Sequence, residues 1–458
     1  MTAASLFWPG LHRAGEAFTD TALVAALVRV EAAWLDALAA AGLSPAGGRA
    51  LAGAAEEYDG ARLAELAEAA EAGGNPVIPL VAGLRRHAAA TAGAEAAAAV
   101  HRGLTSQDVV DTALQLCARD VVTALRTELD AQVAALADLA VRHRGTLTVA
   151  RTLTQHALPT TFAARVASWL TVLLDARDAL TALPPAPAQF GGAVGTLASL
   201  VDRLAGAGAV DPVAAADAVA ADAARRLGLA HRPPWHTARR PVTVLGDAFT
   251  AVTDALGRVA ADVLTGSRSE IGELREPGAP GRGTSSTMPQ KRNPALAVLV
   301  RRTADTAPAL AAQLHTAAAA AGDERPAGAW HAEWAPLAAL ARTSLAAARQ
   351  ATELLVGLEV DTGAMGRTLR AALPGVLAER LVPALAQLPT AGGALGTDGA
   401  RGALAACGDV AALRALLGER TSAPGAELDA LLARLGDPRG YLGTADLVVD
   451  AVLARARG

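Results

Sequence analysis

The stretch LTSQDVVDTALQLCARDVVTALRTELDAQVAALADLAVRH, residues 104–143, contains neither glycine nor proline. Within it, apolar side chains recur at Val122, Leu125, Leu129 and Val133, which is the spacing of one helix face. At about 1.5 Å per residue, a helix of this length is roughly 55–60 Å long. Such a helix is longer than a compact domain requires, so the stretch predicts a bundle of long helices.

The composition extends this prediction to the whole chain. Hydrophobic residues make up 52% of the sequence and aromatic residues only 3%, so alanine and leucine, both strong helix formers, supply most of the apolar content. Further long helical stretches are expected at about 158–182, 240–275 and 294–322, the last with a kink at Pro308. The sequence therefore predicts an all-α protein.

Changes in helix length and glycine content predict three domains. Short helical pieces broken by glycine and proline fill residues 1–103, and the long helices fill residues 104–341. Residues 342–458 return to shorter helices.

Charge and cysteine content exclude several classes of protein. The formal net charge is −4 without any basic run, which argues against nucleic-acid binding. We find no membrane span and no secretory leader pattern. Cys117 and Cys407 are too few and too far apart for a disulfide framework. We expect a cytoplasmic protein without a metal or another cofactor, since no His, Cys and carboxylate cluster has ligand spacing.

The rarest residues of the chain are concentrated in GTSSTMPQKRNPA, residues 283–295. This segment holds Lys291, the only lysine in the sequence, and Asn293, one of two asparagines. Glycine and proline upstream predict a mobile loop, and Asn293 followed by Pro294 predicts a helix start. A serine brought by a mobile loop into the positive field of Lys291 and of the helix could act as a base toward a carbon acid. The alternative is a lysine and two serines in an ordinary surface loop.

Two further segments carry polar groups that fit an anionic ligand. In HRGLTSQDVVDTA, residues 101–113, Thr105 or Ser106 caps the long helix, and the free N–H groups there suit an anion. In ARTLTQHALPTTF, residues 150–162, Arg151 offers a carboxylate fork and His156 a proton carrier, and Pro159 is expected to open a helix. A capped helix start and a polar loop are the respective alternatives.

Glycines and arginines mark two more segments, and tryptophans mark a third. QFGGAVGTLA, residues 189–198, permits close backbone approach but lacks the strand context of a dinucleotide loop. RPPWHTARR, residues 232–240, places two arginines beside a histidine and modestly favours an anionic ligand. In GDERPAGAWHAEWAPL, residues 322–337, Trp330 and Trp334 are expected to pack on one helix face.

The segment TSSTMPQKRNP resembles the G-S-S-x-M-P-x-K-x-N-P signature of the fumarase/aspartase superfamily, and the similarity extends through the other polar segments. The combination is most similar to the cycloisomerase branch, which converts 3-carboxy-cis,cis-muconate to 4-carboxymuconolactone. This resemblance implies an all-α, three-domain fold whose long central bundle tetramerises into a twenty-helix core. It also implies a small polycarboxylate substrate and active sites each assembled from three subunits of a homotetramer.

The resemblance assigns roles to individual residues. Ser285 corresponds to the general base, or to the proton donor in the opposite direction, and His156 and His101 are further proton-transfer candidates. The other corresponding residues would bind substrate: Thr105, Ser106, Gln107, Arg151, Gln155, His236, Arg239, Ser286, Met288, Lys291 and Asn293.

Departures from the superfamily pattern leave alternatives open. Thr284 replaces a loop glycine, Gln290 stands where many relatives have histidine, and Ala238 replaces a glutamine. Leu153 replaces a histidine that other branches use as an acid, which suits the cycloisomerase branch. A lyase acting on a substituted succinate, such as nitrosuccinate, argininosuccinate or adenylosuccinate, is the alternative enzyme. A non-catalytic structural relative is the third possibility.

Overall fold

The computed structural model describes residues 5–457 and confirms the all-α prediction. The α-helices are α1 Asp20–Ala40, α2 Gly60–Gly73, α3 Val77–Ala92, α4 Ala94–Ala99, α5 Ser106–Arg142, α6 Phe162–Thr181, α7 Ala198–Gly206, α8 Pro212–Leu227, α9 Arg240–Gly266, α10 Ala295–Ala319, α11 Ala329–Ala332, α12 Trp334–Val356, α13 Thr362–Ala372, α14 Ala378–Leu385, α15 Gly396–Ala405, α16 Val410–Arg420, α17 Gly425–Leu435 and α18 Ala445–Arg457. The strands are β1 Leu147–Thr152, β2 Gln155–Thr161, β3 Leu274–Arg275, β4 Glu359–Val360, β5 Pro389–Thr390 and β6 Gly393–Ala394.

The long helix predicted over residues 104–143 is observed as α5, which has 37 residues. Its apolar stripe is buried, with Leu125, Leu129 and Leu136 all at 0% exposure. Helix α10 likewise continues through Pro308, the position where a kink was expected. The spacing of apolar residues therefore located the principal helices to within a few residues, apart from α9, which ends at Gly266 before the expected limit.

A β-hairpin occupies the segment where a polar loop leading into a helix was expected. Strands β1 and β2 pair antiparallel, with Arg151 opposite His156 and Val149 opposite Pro159. The turn residues Leu153 and Thr154 have φ of 48° and 74°, the left-handed values that a tight two-residue hairpin requires. The prediction that Pro159 opens a helix was wrong, because the helix begins only after the strand.

The chain divides into two compact units, each built from three separate parts of the sequence. Unit 1 comprises the described part of Met1–Glu128 together with Ala176–Asp254 and Arg302–Gln350. Unit 2 comprises Leu129–Asp175, Ala255–Arg301 and the described part of Ala351–Gly458. The three-domain division stays a prediction, and α12 continues without a break through residue 341, where the last boundary was drawn.

Each unit contains a buried tryptophan whose indole N–H donates a hydrogen bond to an oxygen atom of the protein. In unit 1, Trp34 is fully buried, stacks on Phe190 with ring centroids 5.1 Å apart, and donates to the Arg102 carbonyl at 2.8 Å. In unit 2, Trp169 is fully buried and donates from Nε1 to Asp262 at 2.8 Å. Because a buried N–H without a partner is costly, these bonds fix how each indole is oriented.

Membrane-spanning helices and metal-binding clusters are both absent among residues 5–457. No helix among these residues is long and apolar enough to cross a membrane. The same residues contain no group of three or more His, Cys, Asp or Glu side chains that could hold a metal ion. Cys117 and Cys407 are both free thiols, the first buried and the second half-buried. The cytoplasmic location stays a prediction.

Candidate active site

A buried aspartate organises the polar segments of unit 1. Asp108 lies in the first turn of α5 at 0% exposure. Its Oδ1 accepts the Gly191 N–H at 2.9 Å, and its Oδ2 accepts the N–H groups of Gly192 at 2.9 Å and Thr105 at 3.0 Å. The carboxylate therefore holds the glycine segment against the beginning of α5.

The two glycines are required by this close approach. A Cβ on Gly191 would lie 2.6 Å from His236 Cε1. Gly192 has φ of 66°, and a Cβ on it would lie 3.1 Å from the Gly103 carbonyl oxygen. Any side chain at either residue would push the backbone away from Asp108. The weak glycine motif of the sequence thus has a structural explanation that needs no nucleotide.

Two side chains complete this hydrogen-bond network. His236 Nε2 lies 3.1 Å from Asp108 Oδ1 and 3.0 Å from Gln189 Nε2. The Gln189 Oε1 accepts the Trp235 N–H at 2.6 Å. His236 was expected to bind substrate, but the side chain is 6% exposed and its Nε2 faces protein groups. His236 therefore joins the segment 232–240 to α5, and its assignment to substrate binding stays a prediction.

Arg239 also meets protein carboxylates where a substrate carboxylate was expected. Its guanidinium is fully buried and bonds Asp111 at 2.7 and 3.0 Å and Glu333 at 2.8 Å. It stacks over the Trp235 ring, 4.8 Å from the centroid, and Trp330 Nε1 donates to Asp111 at 2.9 Å. Burial alone would lower the pKa of Arg239, but the two carboxylates outweigh it and raise the pKa. Arg239 therefore forms two internal ion pairs, and its assignment to substrate binding stays a prediction.

Gln107 is enclosed in the same network. The side chain has 0% exposure, and its Nε2 donates to the His236 carbonyl at 2.8 Å and to Asp111 at 3.2 Å. The Gln107 Oε1 has no hydrogen-bond partner among residues 5–457, and the assignment of Gln107 to substrate binding stays a prediction. Gln107 ties the beginning of α5 to the histidine segment.

The beginning of α5 keeps two predicted residues within reach of a ligand. Ser106 is half-buried and opens the helix, and Thr105 is 8% exposed. Arg325 hydrogen-bonds the Thr105 hydroxyl and donates to the Ala193 carbonyl at 3.1 Å. A guanidinium beside the first turn of a helix, where the dipole is positive, makes this position favourable for an anion.

His101 is paired with a glutamate that the sequence motifs did not single out. Its Nδ1 lies 2.6 Å from Glu31 Oε1, and its backbone N–H donates to Glu31 Oε2 at 3.1 Å. Glu31 is 1% exposed and lies on α1, among the buried apolar residues of that helix. Burial by itself would lower the pKa of His101, but the charge and hydrogen bond of Glu31 outweigh it and raise the pKa. A lone acid on an apolar helix face was the signal that could have revealed this pair.

In unit 2, the loop with the rare residues has a closed neck. The Asn293 N–H donates to the Gly283 carbonyl at 2.8 Å, and Thr284 and Arg292 form an antiparallel bridge. Gly283 has φ of 66°, and a Cβ there would lie 2.4 Å from the Asn293 carbonyl oxygen. The neck therefore requires glycine, while Thr284, which departs from the superfamily pattern, lies just inside it.

The loop presents its predicted residues to the surface. The hydroxyl of Ser285, which is half-buried, accepts the N–H groups of Thr287 at 3.4 Å and Met288 at 3.2 Å. The Ser286, Lys291 and Asn293 side chains are exposed, as is Met288 at 43%. Donors aimed at a hydroxyl oxygen favour its charged form, so the loop geometry suits a serine that gives up and regains a proton.

A cavity of about 880 Å³ lies against this loop within unit 2. Met288, Lys291 and Asn293 are among its lining residues, and the charged lining residues include more cations than carboxylates. The charged side chains are Arg268, Arg275, Arg282, Lys291, Arg292, Glu276 and Glu359. Its volume is within the range of small-molecule sites, and its positive balance suits a polycarboxylate.

The helix that follows the loop is capped by Glu276. The carboxylate accepts the N–H groups of Leu296 at 3.0 Å and Ala297 at 2.6 Å, in the first turn of α10. The helix begins at Ala295, one residue after the Pro294 start expected from the sequence. The prediction that Asn293 supplies the cap was wrong, because the acceptor lies about twenty residues upstream.

Arg151 of the hairpin is occupied by an internal carboxylate. Its guanidinium donates to Glu273 at 2.8 and 3.1 Å, and Arg165 approaches the same carboxylate at 3.4 Å. Burial would raise the pKa of Glu273, but the two arginines outweigh it and lower the pKa. Arg151 therefore forms an internal ion pair, and its assignment to substrate binding stays a prediction.

The other hairpin residues are free of this pair. Gln155 and His156 lie on β2 with exposed side chains, and Gln155 donates to the Thr154 hydroxyl at 3.1 Å. The structure thus collects the predicted residues in two groups. Unit 1 contains His101, Thr105, Ser106, Gln107, His236 and Arg239, and unit 2 contains Arg151, Gln155, His156, Ser285, Ser286, Met288, Lys291 and Asn293.

Proteins of known activity resemble the chain over almost its full length. Nitrosuccinate lyase of Streptomyces davaonensis is 40% identical over 445 residues, covering 95% of this chain and 90% of the relative. The 3-carboxy-cis,cis-muconate cycloisomerase of Pseudomonas aeruginosa is 40% identical over 452 residues, covering 95% and 93%.

Solved structures give the same result. The 3-carboxy-cis,cis-muconate lactonizing enzyme of Pseudomonas putida superimposes with a TM-score of 0.83 at 35% identity, covering 97% of this chain and 96% of that one. The family model described as lyase matches residues 19–307. The chain therefore belongs to the lyase family and is an enzyme with the fumarase/aspartase fold.

Proposed function

We propose that the protein converts 3-carboxy-cis,cis-muconate to 4-carboxymuconolactone. The observation that carries the proposal is the loop 283–293, which holds both Ser285 and the lone lysine and whose Met288, Lys291 and Asn293 line a positively charged cavity. The proposal is also supported by cycloisomerase relatives at 40% and 39% identity. The reaction is an isomerisation, so it needs proton transfer and charge stabilisation but no added reactant.

Ser285 transfers the proton in the proposed reaction. When a substrate carboxylate oxygen bonds to one alkene carbon, the π electrons move to the neighbouring carbon and into its carboxylate. The resulting enediolate gains a proton at carbon to give the lactone. Ser285 donates that proton and regains one from solvent, and in the reverse direction its alkoxide removes the proton from carbon. The N–H groups of Thr287 and Met288 stabilise the alkoxide between these events.

Lys291 and Asn293 hold the enediolate charge in this proposal. Both are exposed, and both line the 880 Å³ cavity. A compact ammonium can approach a developing oxyanion without the fixed planar geometry of a guanidinium, which explains a lysine in a chain that otherwise uses arginine. Ser286 and Met288 complete the loop surface, and Gln155 and His156 offer further polar contacts.

We propose a homotetramer whose active sites combine residues of three subunits. The candidate residues fall into two units, with Thr105, Ser106 and His101 in the first and the serine loop in the second. Arg325 beside Thr105 would bind a second carboxylate of the same substrate. A tricarboxylate needs several such cation positions at once.

Elimination of nitrite from nitrosuccinate is the second candidate, and the relative at 40% identity over 95% of the chain favours it. The same serine would remove a proton next to a carboxylate, and the C–N bond would break to give fumarate and nitrite. The two reactions share the base and the enediolate and differ in the leaving group. Loop geometry is therefore compatible with both.

Substrate assays separate the two candidates. We expect the purified enzyme to consume 3-carboxy-cis,cis-muconate, measured as loss of diene absorbance, with the lactone identified by mass and nuclear magnetic resonance. Nitrite release from nitrosuccinate is measured in parallel. Turnover of nitrosuccinate alone by a folded enzyme would replace the cycloisomerase proposal with the lyase one.

Replacing the loop serine tests its role directly. We expect Ser285→Ala to lower kcat by about 10²–10⁴-fold, because the proton donor is lost, while leaving the fold intact. Ser286→Ala is the matched control, since this neighbouring hydroxyl is assigned no proton transfer, and we expect a decrease below about tenfold. Circular dichroism and sedimentation check folding, and full activity of Ser285→Ala would remove the serine from its role.

The neck of the loop is tested at Gly283. Gly283→Ala places a Cβ at 2.4 Å from the Asn293 carbonyl and strains a residue with φ of 66°, so the neck must open. We expect kcat to fall by about tenfold or more as Ser285 and Lys291 lose their positions. Gly408→Ala, in the same unit but outside the cavity lining, is the control, because its Cβ would meet no atom within 4 Å. Equal kinetics for the two variants would show that the neck does not position the serine.

The His101–Glu31 pair predicts a pH-dependent stability. Because the folded-state pKa of His101 is raised, the pair contributes fully below the unfolded pKa of about 6.5 and its contribution disappears as pH rises through the folded value. Its size is about 1.4 kcal/mol for each pH unit that separates the two pKa values. We expect His101→Gln and Glu31→Gln to lower the urea-unfolding free energy more at about pH 6 than at about pH 9. A difference independent of pH would contradict a charged pair.

A further inference from the structure

A second cleft, within unit 1, has no part in the proposed chemistry. Its volume is about 660 Å³, within the range of small-molecule sites. Helix α5 forms one wall, the end of α6 and the proline-rich residues 183–187 form another, and residue Arg232 and the first turns of α9 close it. None of the predicted active-site residues lines it.

The charged lining of this cleft is entirely positive. Four arginines line it, Arg119, Arg126, Arg232 and Arg240, and its lining includes no aspartate or glutamate. This contrasts with a chain whose net charge is −4. Among residues 5–457, the Arg126, Arg232 and Arg240 guanidiniums form no ion pair, and all three side chains are exposed.

The rest of the lining is largely apolar and is held in place by backbone contacts. Apolar side chains form much of the surface: Val122, Leu180, Leu183, Pro184, Pro185, Pro187, Val244 and Leu245. Ala188 donates to the Ala230 carbonyl and Ala230 to the Ala186 carbonyl, both at 2.9 Å. Arg119 donates to the Leu227 carbonyl at 2.9 Å and Gln115 to the Pro241 carbonyl at 3.1 Å. The cleft is therefore preformed.

From this juxtaposition we propose that the cleft binds a small organic polyanion, one with two or more carboxylate or phosphate groups on an apolar body. Guanidiniums without internal partners supply charge-assisted hydrogen bonds to the anionic groups. The prolines and aliphatic side chains bury the apolar body of the ligand. A hydrated inorganic anion has no such apolar body. This site is separate from the proposed catalytic loop, so the inference does not depend on the substrate assigned there.

Isothermal titration calorimetry with benzene-1,3,5-tricarboxylate tests the cleft. The comparison is with the double variant Arg126→Gln/Arg240→Gln. We expect the wild type either to bind one more equivalent of the tricarboxylate per chain than this variant, or to bind it at least about tenfold more tightly. The control Arg49→Gln/Arg203→Gln removes two exposed arginines of unit 1 outside the cleft and should bind as the wild type does. Identical isotherms for the cleft variant and the wild type would overturn the proposal.

Two further measurements test which class of ligand the cleft binds and whether another copy of the chain covers it. Pyrophosphate should bind the cleft about tenfold more weakly than the tricarboxylate, because it has no apolar body; equal affinity would overturn the proposed class. Sedimentation should give the cleft variant the same mass as the wild type. A changed mass together with lost tricarboxylate binding would overturn the proposal by showing that another copy of the chain covers the cleft. Turnover at the serine loop should be unchanged in both double variants.

Discussion

The carboxylate of Asp108 is the interaction on which the arrangement of unit 1 depends. It joins α5 to the glycine segment at 191–192 and to His236. Both lie more than eighty residues from Asp108 in the sequence. A buried charge is tolerated only when several donors face it, and removing one partner of such a group costs about 3–5 kcal/mol. Asp108 therefore holds these segments together, because the buried carboxylate would otherwise lack hydrogen-bond partners.

The serine loop of unit 2 is organised differently. Its ends are fixed by the bond from the Asn293 N–H to the Gly283 carbonyl, and Glu276 anchors the helix that follows. Between these points, Ser285 bonds only backbone N–H groups of its own loop. A fixed neck with an exposed tip lets the loop carry reactive groups without involving the core, which is how many enzymes combine positioning with access.

Local patterns in the sequence predicted the helices and the loop, while partners distant in sequence were missed. The periodicity of α5 and the rare residues near Lys291 are properties of short segments and could be read directly. The Glu31–His101 pair spans seventy residues, and Glu276 caps a helix about twenty residues away. Pro159 was assigned to a helix start because proline is compatible with both that position and an edge strand, and only its pairing with Val149 distinguishes them.

The sequence alone also does not show which carboxylates an arginine meets. Arg151 and Arg239 have the fork that matches a carboxylate, and both do bind carboxylates, but those of Glu273, Asp111 and Glu333. Inside a protein, a guanidinium must be paired, because an unpaired buried charge is unstable. Other cations remain exposed, and the lone lysine of the loop is one of them. In an arginine-rich chain, the buried arginines therefore indicate which segments pack together. The exposed cations that line cavities indicate where an anionic ligand can bind.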